Sequence, residues 1–247
     1  LIQEQNSFAG LTNKILAKRV GCICVAYDGM EKFFPADKIV FSGNPIRSVI
    51  HPYSEADKAE GLAFYGLDPD KKHILLTGGS LGSGTLNAAV RGWISAGCPG
   101  GEGVQLLWQC GKYYKAGIDS FMVGRECPDI CYSDFIARMD LAYAMADVVI
   151  SRSGASSISE LCAAHKAAVF VPSPNVAEDH QTHNAMALVS KDAALMVKDS
   201  EAVEKLMPTA LGLVRDSGKI AEMEKNAGAL AKMDAAQTII GEVYKLV

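Results

Sequence analysis

The chain has 247 residues, 49% of them hydrophobic, with a formal net charge of -4 and seven cysteines. That length supports one large domain or two smaller ones, burying roughly 70–75% of the unfolded surface. The acidic balance, with no dense Lys/Arg run, argues against nucleic acid as a partner, and no run reaches the roughly 18 consecutive apolar residues of a membrane span.

The opening "LIQEQNSFAG" has no secretory signal pattern and no leading strand, and reads as the interior of a longer chain. A helix is expected over about Ala9 to Lys18, then strands in "VGCICVAY" and "KIVFSGNP", the second ended by Gly43 and Pro45. An amphipathic helix follows over Glu55–Tyr65. "KHILLTGGS" reads as a strand running into glycines, "TLNAAVRGWIS" as a helix and "VQLLWQCG" as a strand. "DSFMVGREC" and "ICYSDF" read as short strands, "ARMDLAYAMA" as a helix and "DVVIS" as a strand. "SISELCAAH" is a helix, "AAVFVPSP" a strand, "DHQTHNAMALVSK" a helix and "AALMVKD" a strand, with two helices after it. Apolar strands alternating with helices predict an α/β protein with a parallel sheet covered on both faces. Ligands of such sheets bind outside the carboxyl ends of the strands.

Four of the seven cysteines fall in or beside expected strands, and an odd number fits buried, reduced thiols in a cytosolic protein. Cys127 and Cys131 lack the matching second pair of a zinc site.

Three loops after strands carry candidate chemistry. Gly78-Gly79-Ser80-Leu81-Gly82-Ser83-Gly84 stands between a strand and a helix, where backbone N–H groups can meet a phosphate. It fits neither the Walker pattern nor G-x-G-x-x-G, and a plain tight turn is the competing reading. In "SRSGASSISEL", Ser157 and Glu160 fit a helix capping box. The same helix start suits an anion, because its donors are unpaired and small residues allow close approach. A carboxylate about one turn in, Glu160, could accept hydrogen bonds from vicinal sugar hydroxyls. In "PSPNVAEDHQTHNA", His180 and His183 have metal-ligand spacing but no third ligand in view, and Gln181 is better suited to sugar hydroxyls.

The stretches "EQNSFAGLTNK", "GNPIR", "GGSLGS..LN", "YAMADVVISRSGASSISEL" and "DHQTHNA", in this order, resemble the MurG family of peptidoglycan N-acetylglucosaminyltransferases over nearly the whole chain. The resemblance implies a GT-B fold of two Rossmann-like, doubly wound domains, with UDP-N-acetylglucosamine bound by the carboxy-terminal one. Residues 1–43 would then end the amino-terminal, acceptor domain and 44–220 would form the donor domain. A terminal helix over 221–247 would return to the first domain, exposing Ile239, Ile240 and Val243.

The resemblance also assigns roles. Glu160 would bind the ribose hydroxyls, and Ala155, Ser156 and Ser157 would offer backbone groups to the diphosphate and sugar, within a donor turn that includes Ile158 and Ser159. Ser80 would contact phosphate, Ile136 would pair with uracil through its backbone, and Arg47 would lie on the nucleotide side. Asn6 and Gln181 would hydrogen-bond the N-acetylglucosamine. The implied transfer, to the lipid I acceptor at the cytoplasmic face of the inner membrane, is inverting and uses no metal or cofactor. Its catalytic base, the acceptor surface and the membrane contact would lie on the amino-terminal domain, so this stretch alone would not complete it.

Three positions depart from the family pattern. Gln3 stands where His is frequent, Gly82-Ser83-Gly84 where Gly-Ala-Arg is common, and His180-Gln181 where some members have Gln-Gln. The alternatives are another GT-B protein using the same donor, such as an epimerase or lipid glycosyltransferase, or a nucleotide-sugar binding module without catalysis. The "EQNSFAG" stretch favours the MurG-like reading.

Overall fold

The computed structural model describes residues 1–246. Strands β1 (Ile2–Glu4), β2 (Ile23–Val25) and β3 (Ile39–Phe41) form a parallel sheet in the order β1-β2-β3, with helix α1 (Leu11–Leu16) between the first two. Strand β1 is a departure from the sequence expectation of no leading strand. It is three residues long and partly polar, and its pairing of Ile2 with Ile23 crosses 21 positions, which local pattern cannot register.

Helix α2 (Glu55–Tyr65) leads into the larger unit. Its start carries a reciprocal capping box, Ser54 with Asp57. Strands β4 (Lys72–Thr77), β5 (Val104–Gln109), β6 (Ile130–Ser133), β7 (Val148–Ser151), β8 (Ala168–Phe170) and β9 (Leu195–Met196) make a six-stranded sheet in the order β6-β5-β4-β7-β8-β9, all pairs parallel. Helices α3 (Gly84–Ser95), α4 (Lys115–Met122), α5 (Met139–Met145), α6 (Ala155–Ala163) and α7 (His180–Val189) supply the crossovers. The sheet is doubly wound, and its order reverses between β4 and β7.

Alternation along the strands feeds two cores. Ile74, Leu76, Trp108, Val148 and Ile150 pack on one face with α3 and α8 (Ala202–Leu213). Leu75, Leu107, Val149, Ala168 and Phe170 pack on the other with α5, α6 and α7. Strands buried on both faces have no polar side to show, which is why they read as continuous apolar runs.

Two expectations are corrected. "DSFMVGREC" is not a strand: its first half belongs to α4, with Ile118 buried and Phe121 and Met122 packed on the core. Parallel β5 and β6 cannot be joined without a crossover, and this helix makes it. Among the described residues after β9 there are three α-helices rather than two: α8, α9 (Ser217–Ala229) and α10 (Ala235–Tyr244). The expected helix over 221–247 is therefore broken between Ala229 and Ala235, and Val247 lies outside the described residues. Around α10, the Cys22 thiol lies 3.9 Å from Glu242 Oε2, and Lys232 Nζ sits 4.3 Å over the Phe41 ring. Ile240 and Val243 are exposed and Ile239 is half-buried.

Candidate functional site

The switch point between β4 and β7 is where a doubly wound sheet opens a crevice at its carboxyl edge. Two of the turns singled out in the sequence end there. After β4, Gly79 and Gly82 take positive φ (80° and 76°), and Ser83 caps α3 by accepting from Leu86 N–H at 3.3 Å. This turn lies against the one after β5: a Cβ on Gly111 would come within 2.5 Å of Gly82 Cα. Gln109, buried at the end of β5, holds the turns together. Its Nε2 donates to Gly79 O at 2.9 Å and to Asp134 O at 3.3 Å, while Oε1 accepts from Thr77 at 2.7 Å. Ser80 is exposed at the tip.

After β7 the expected capping box is absent. Helix α6 begins at Ala155, its N-cap is Gly154, and no side chain caps it. Ser157 is thus already the third helical residue, and Glu160 lies in the second turn. Glycine and serine carry the chain into the helix without a side-chain acceptor, so the first N–H groups, including those of Ala155, Ser156 and Ser157, keep their donor capacity. Ile158 is buried and its N–H is bonded to Gly154 O at 3.0 Å. The Ser159 hydroxyl donates to Ala155 O at 2.9 Å and accepts from Asn44 Nδ2 at 3.1 Å.

Glu160, 9% exposed as a residue, receives both arms of Arg47 on its carboxylate: Nε to Oε1 and Nη2 to Oε2, each 2.8 Å. Tyr143 Oη, from α5, donates to Oε2 at 3.2 Å. Donating to Glu160 raises the Arg47 pKa above its ordinary value, against burial, which lowers it. Burial, and then the Glu160 charge, push the Tyr143 phenol strongly upward, so it stays a donor. Of a carboxylate's roughly four lone-pair sites, these partners leave one, on Oε1.

A third cluster joins the opening segment to α7. Asn184, fully buried, donates to Asn6 Oδ1 at 3.0 Å and accepts from Ser7 N–H at 2.8 Å. Ser153 Oγ donates to Gln181 O at 2.8 Å, and Gln181 Oε1 accepts from Ser173 N–H at 2.9 Å. Glu178 and Asp179 enter α7 with positive φ (54° and 50°), a conformation that strains non-glycine residues and collects at functional loops. The two histidines diverge: His183 stacks on Phe8 at 5.0 Å, and His180 Nδ1 lies 2.8 Å from Ala177 O. Among the described residues no group of three or more His, Cys, Asp and Glu side chains is placed to hold a metal ion. Ile136 is buried just after β6 on the α5 side of the sheet, in the same core as Tyr143.

Sequence reasoning missed Arg152. From the turn after β7 it donates through Nη1 to Val171 O (2.9 Å), Pro172 O (3.1 Å) and Asp199 Oδ1 (2.5 Å), and through Nη2 to Ser83 Oγ (2.7 Å). It ties the glycine turn, the end of β8 and the segment before α8 into one rim. A cation directly after a buried strand, flanked by small residues, was the available signal. Asn44, Tyr143 and Asn184 lie in the stretches that carry the resemblance, but nothing local marked their partners, which are distant in sequence.

A doubly wound parallel domain with an uncapped helix start and a glycine turn at its switch point is a nucleotide-binding domain in architecture. The chain belongs to glycosyltransferase family 28: residues 73–239 match the Glycosyltransferase family 28 C-terminal domain. Two relatives bear the name UDP-N-acetylglucosamine--N-acetylmuramyl-(pentapeptide) pyrophosphoryl-undecaprenol N-acetylglucosamine transferase. The one from Parabacteroides distasonis is 51% identical over 247 residues, covering 100% of this chain and 66% of that protein. The one from Bacteroides thetaiotaomicron is 52% identical with the same coverage. The crystal structure of Acinetobacter baumannii MurG aligns with a TM-score of 0.78 at 28% identity, covering 99% of this chain and 66% of that one. The chain thus spans just under two thirds of the length of these relatives. Among the described residues no helix is long and apolar enough to cross a membrane.

Proposed function

We propose that this chain is the donor-binding part of a glycosyltransferase. The enzyme moves N-acetylglucosamine from UDP-N-acetylglucosamine to undecaprenyl-pyrophosphoryl-N-acetylmuramyl-pentapeptide (lipid I), a step of peptidoglycan synthesis. The observation that carries the proposal is the start of α6: unpaired N–H donors at the switch point, with a buried, anchored carboxylate one turn further in. The relatives' names supply the identity of donor and acceptor.

In this reading Ala155, Ser156 and Ser157 hold the diphosphate through backbone N–H groups, and Ser80 reaches a phosphate oxygen from the facing turn. Ile136 meets uracil through its backbone, Glu160 takes a ribose hydroxyl, and Arg47 fixes Glu160 on the nucleotide side. Asn6 and Gln181 meet the sugar. Ile158 and Ser159 serve by seating α6. Residues 1–43 end the acceptor domain, 44–220 form the donor domain, and the segment from 221 returns to the first sheet.

The acceptor hydroxyl oxygen bonds to the anomeric carbon from the face opposite UDP, and the bond from that carbon to the diphosphate oxygen breaks. The electron pair leaves with UDP, the hydroxyl proton passes to a general base, and the configuration inverts. The proposal assigns that base to no residue of this chain. A helix start presents roughly half a positive charge, and fixed dipoles aimed where charge develops stabilise the leaving diphosphate without reorganising. The acceptor's lipid and the contact with the cytoplasmic face of the inner membrane fall outside this chain.

Isothermal titration with UDP-N-acetylglucosamine, UDP-N-acetylgalactosamine and UDP tests the proposal. Binding should favour the first sugar and collapse in Glu160→Ala. A folded chain that binds none of them, alone or within the full-length protein, would overturn it.

A further inference from the structure

A cavity of about 370 Å³ lies between the three-stranded sheet and helices α6 and α7, within the roughly 300–1,000 Å³ of small-molecule sites. One wall is the turn after β2, from Ala26 to Asp28; the other is Ile158 and Cys162 of α6 with Ala187 of α7. It is not the switch-point crevice. Ile158 and Cys162 are four apart on one helical face, and Glu160, two residues from each, projects from the opposite one.

Three features define what would fit. The first is an orphan polar atom. Tyr27 lines the cavity, and its hydroxyl oxygen is buried without a hydrogen-bond partner in the protein. Such an atom costs about 1–3 kcal/mol unless something satisfies it. The second is charge. Lys32, Lys191 and Lys232 line the cavity against one carboxylate, Asp28, which lies 3.8 Å from Lys191. Lys32 and Lys232 sit instead against aromatic rings, 5.0 Å from Phe33 and 4.3 Å from Phe41. A chain of net charge -4 thus carries a local positive surplus here. The third is an apolar floor: Ile158, Cys162 and Leu188 are each at most 4% exposed. Burial pushes the Cys162 thiol up to about 12, so it stays neutral.

We propose that this cavity is a second small-molecule site, separate from the donor crevice, that takes a monoanion with an apolar, ring-sized body. The carboxylate, sulfonate or phosphate-ester head faces Lys32 and Lys232, the body lies on Ile158, Cys162 and Leu188, and a polar atom of the ligand meets the Tyr27 hydroxyl. The ligand would bridge the two sheets' units, since each supplies a wall.

The test uses 8-anilinonaphthalene-1-sulfonate, titrated into the folded chain by fluorescence, with uncharged N-phenyl-1-naphthylamine as its control. One anionic probe should bind per chain, and the neutral probe should bind about tenfold more weakly or worse. Ala187→Trp, on a partly exposed wall, should abolish binding. Lys32→Gln combined with Lys232→Gln should weaken it about three- to tenfold with Tm unchanged. Excess UDP should leave the signal in place. No saturable binding, displacement by UDP, or wild-type affinity in the tryptophan variant would each overturn the proposal. Should the tryptophan variant fail to fold by circular dichroism, the double glutamine variant decides, and wild-type affinity there overturns it.

Discussion

Arg47 grips Glu160 through two parallel hydrogen bonds of 2.8 Å across a sequence separation of 113 residues. The two carboxylate oxygens face the two arms of the guanidinium fork, so the carboxylate is fixed in orientation before any ligand arrives. Arg47 is half-exposed while Glu160 is nearly buried, so the pair belongs to a rim rather than to the core. Losing Arg47 would leave Glu160 with Tyr143 alone and free to rotate. Arg47→Ala should therefore weaken UDP binding about tenfold or more, in line with the 1.5–3 kcal/mol of a hydrogen bond to a charged group. Arg47→Lys should recover only part of this, because an ammonium cannot span both oxygens. Calorimetric titration with UDP measures both. Tighter binding in Arg47→Ala would mean that the arginine competes with the ribose for the carboxylate.

The two glycines of the turn after β4 make a matched pair for mutation. Gly79 and Gly82 both have positive φ, but space differs: nothing lies within 4 Å of a Cβ at Gly79, whereas one at Gly82 would overlap the Cys110 carbonyl. Gly79→Ala should cost about 1–2 kcal/mol of stability, the backbone term alone. Gly82→Ala adds the separation of two turns that touch backbone to backbone, and should cost clearly more while also weakening UDP binding. Urea midpoints of the two variants give the comparison, and equal losses would mean that the contact between the turns is soft.

The larger sheet was legible in the sequence because burial on both faces leaves a signature that survives without context. The runs Ile74-Leu75-Leu76, Leu106-Leu107-Trp108 and Val148-Val149-Ile150 are apolar throughout, and glycine or serine follows within three residues of each. What failed was local judgement where a long-range constraint decides. "DSFMVGREC" begins with the aromatic and β-branched content of a strand, but its first four residues end the helix that makes the crossover between parallel β5 and β6. The capping box at Ser157 failed for a related reason. Serine followed three residues later by glutamate is a valid local pattern, but α6 starts two residues earlier, at Ala155, and Glu160 is drawn to Arg47 and Tyr143. The candidate site was legible as a set of loops. Its internal wiring was not, because Arg47–Glu160, Asn6–Asn184 and Arg152–Ser83 join residues 113, 178 and 69 positions apart.

Away from the crevice, Asp147 at the foot of β7 should govern acid stability. Burial raises its pKa, but the nearby His73 ring, whose Nδ1 stands 3.7 Å from Oδ2 without a hydrogen bond, the bonded Lys58 and the His73 backbone N–H overcome that and hold it well below the usual carboxylate range. Lys58 Nζ lies 2.6 Å from Oδ1, and His73 N–H donates to Oδ2 at 2.8 Å. A carboxyl whose pKa falls on folding stabilises fully above its unfolded value, about 3.9, and loses that contribution as pH drops through the folded value. Asp147→Asn should therefore cost about 2–4 kcal/mol at pH 7. The gap from wild type should narrow steadily below about pH 4. Denaturation midpoints from pH 7 to pH 3 check this, and a gap that stays constant would mean the loss is one of packing and not of charge.

Arg152 offers the sharpest test of how the crevice is held together. Its guanidinium reaches two carbonyls at the end of β8, the Asp199 carboxylate and the Ser83 hydroxyl, and its side chain is only 15% exposed. Ser83 is at once a partner of Arg152 and the N-cap of α3, so the same cation braces the glycine turn and the helix behind it. A lysine cannot hold four acceptors in one plane, and its ammonium would leave at least one buried oxygen without a partner. Arg152→Lys should lower stability by about 1.5–3 kcal/mol. That is about 3–12 °C in Tm at about 2–4 °C per kcal/mol for a chain of this size. UDP affinity should fall as well, because the turn carrying Ser80 loses its brace. Asp199→Ala removes another partner of the same cation but leaves the bond to Ser83, so it should cost stability with a smaller effect on UDP. Thermal melts and titrations of the two variants separate these effects, and equal losses of UDP affinity would show that the turn is held by Asp199 rather than by the Arg152–Ser83 bond.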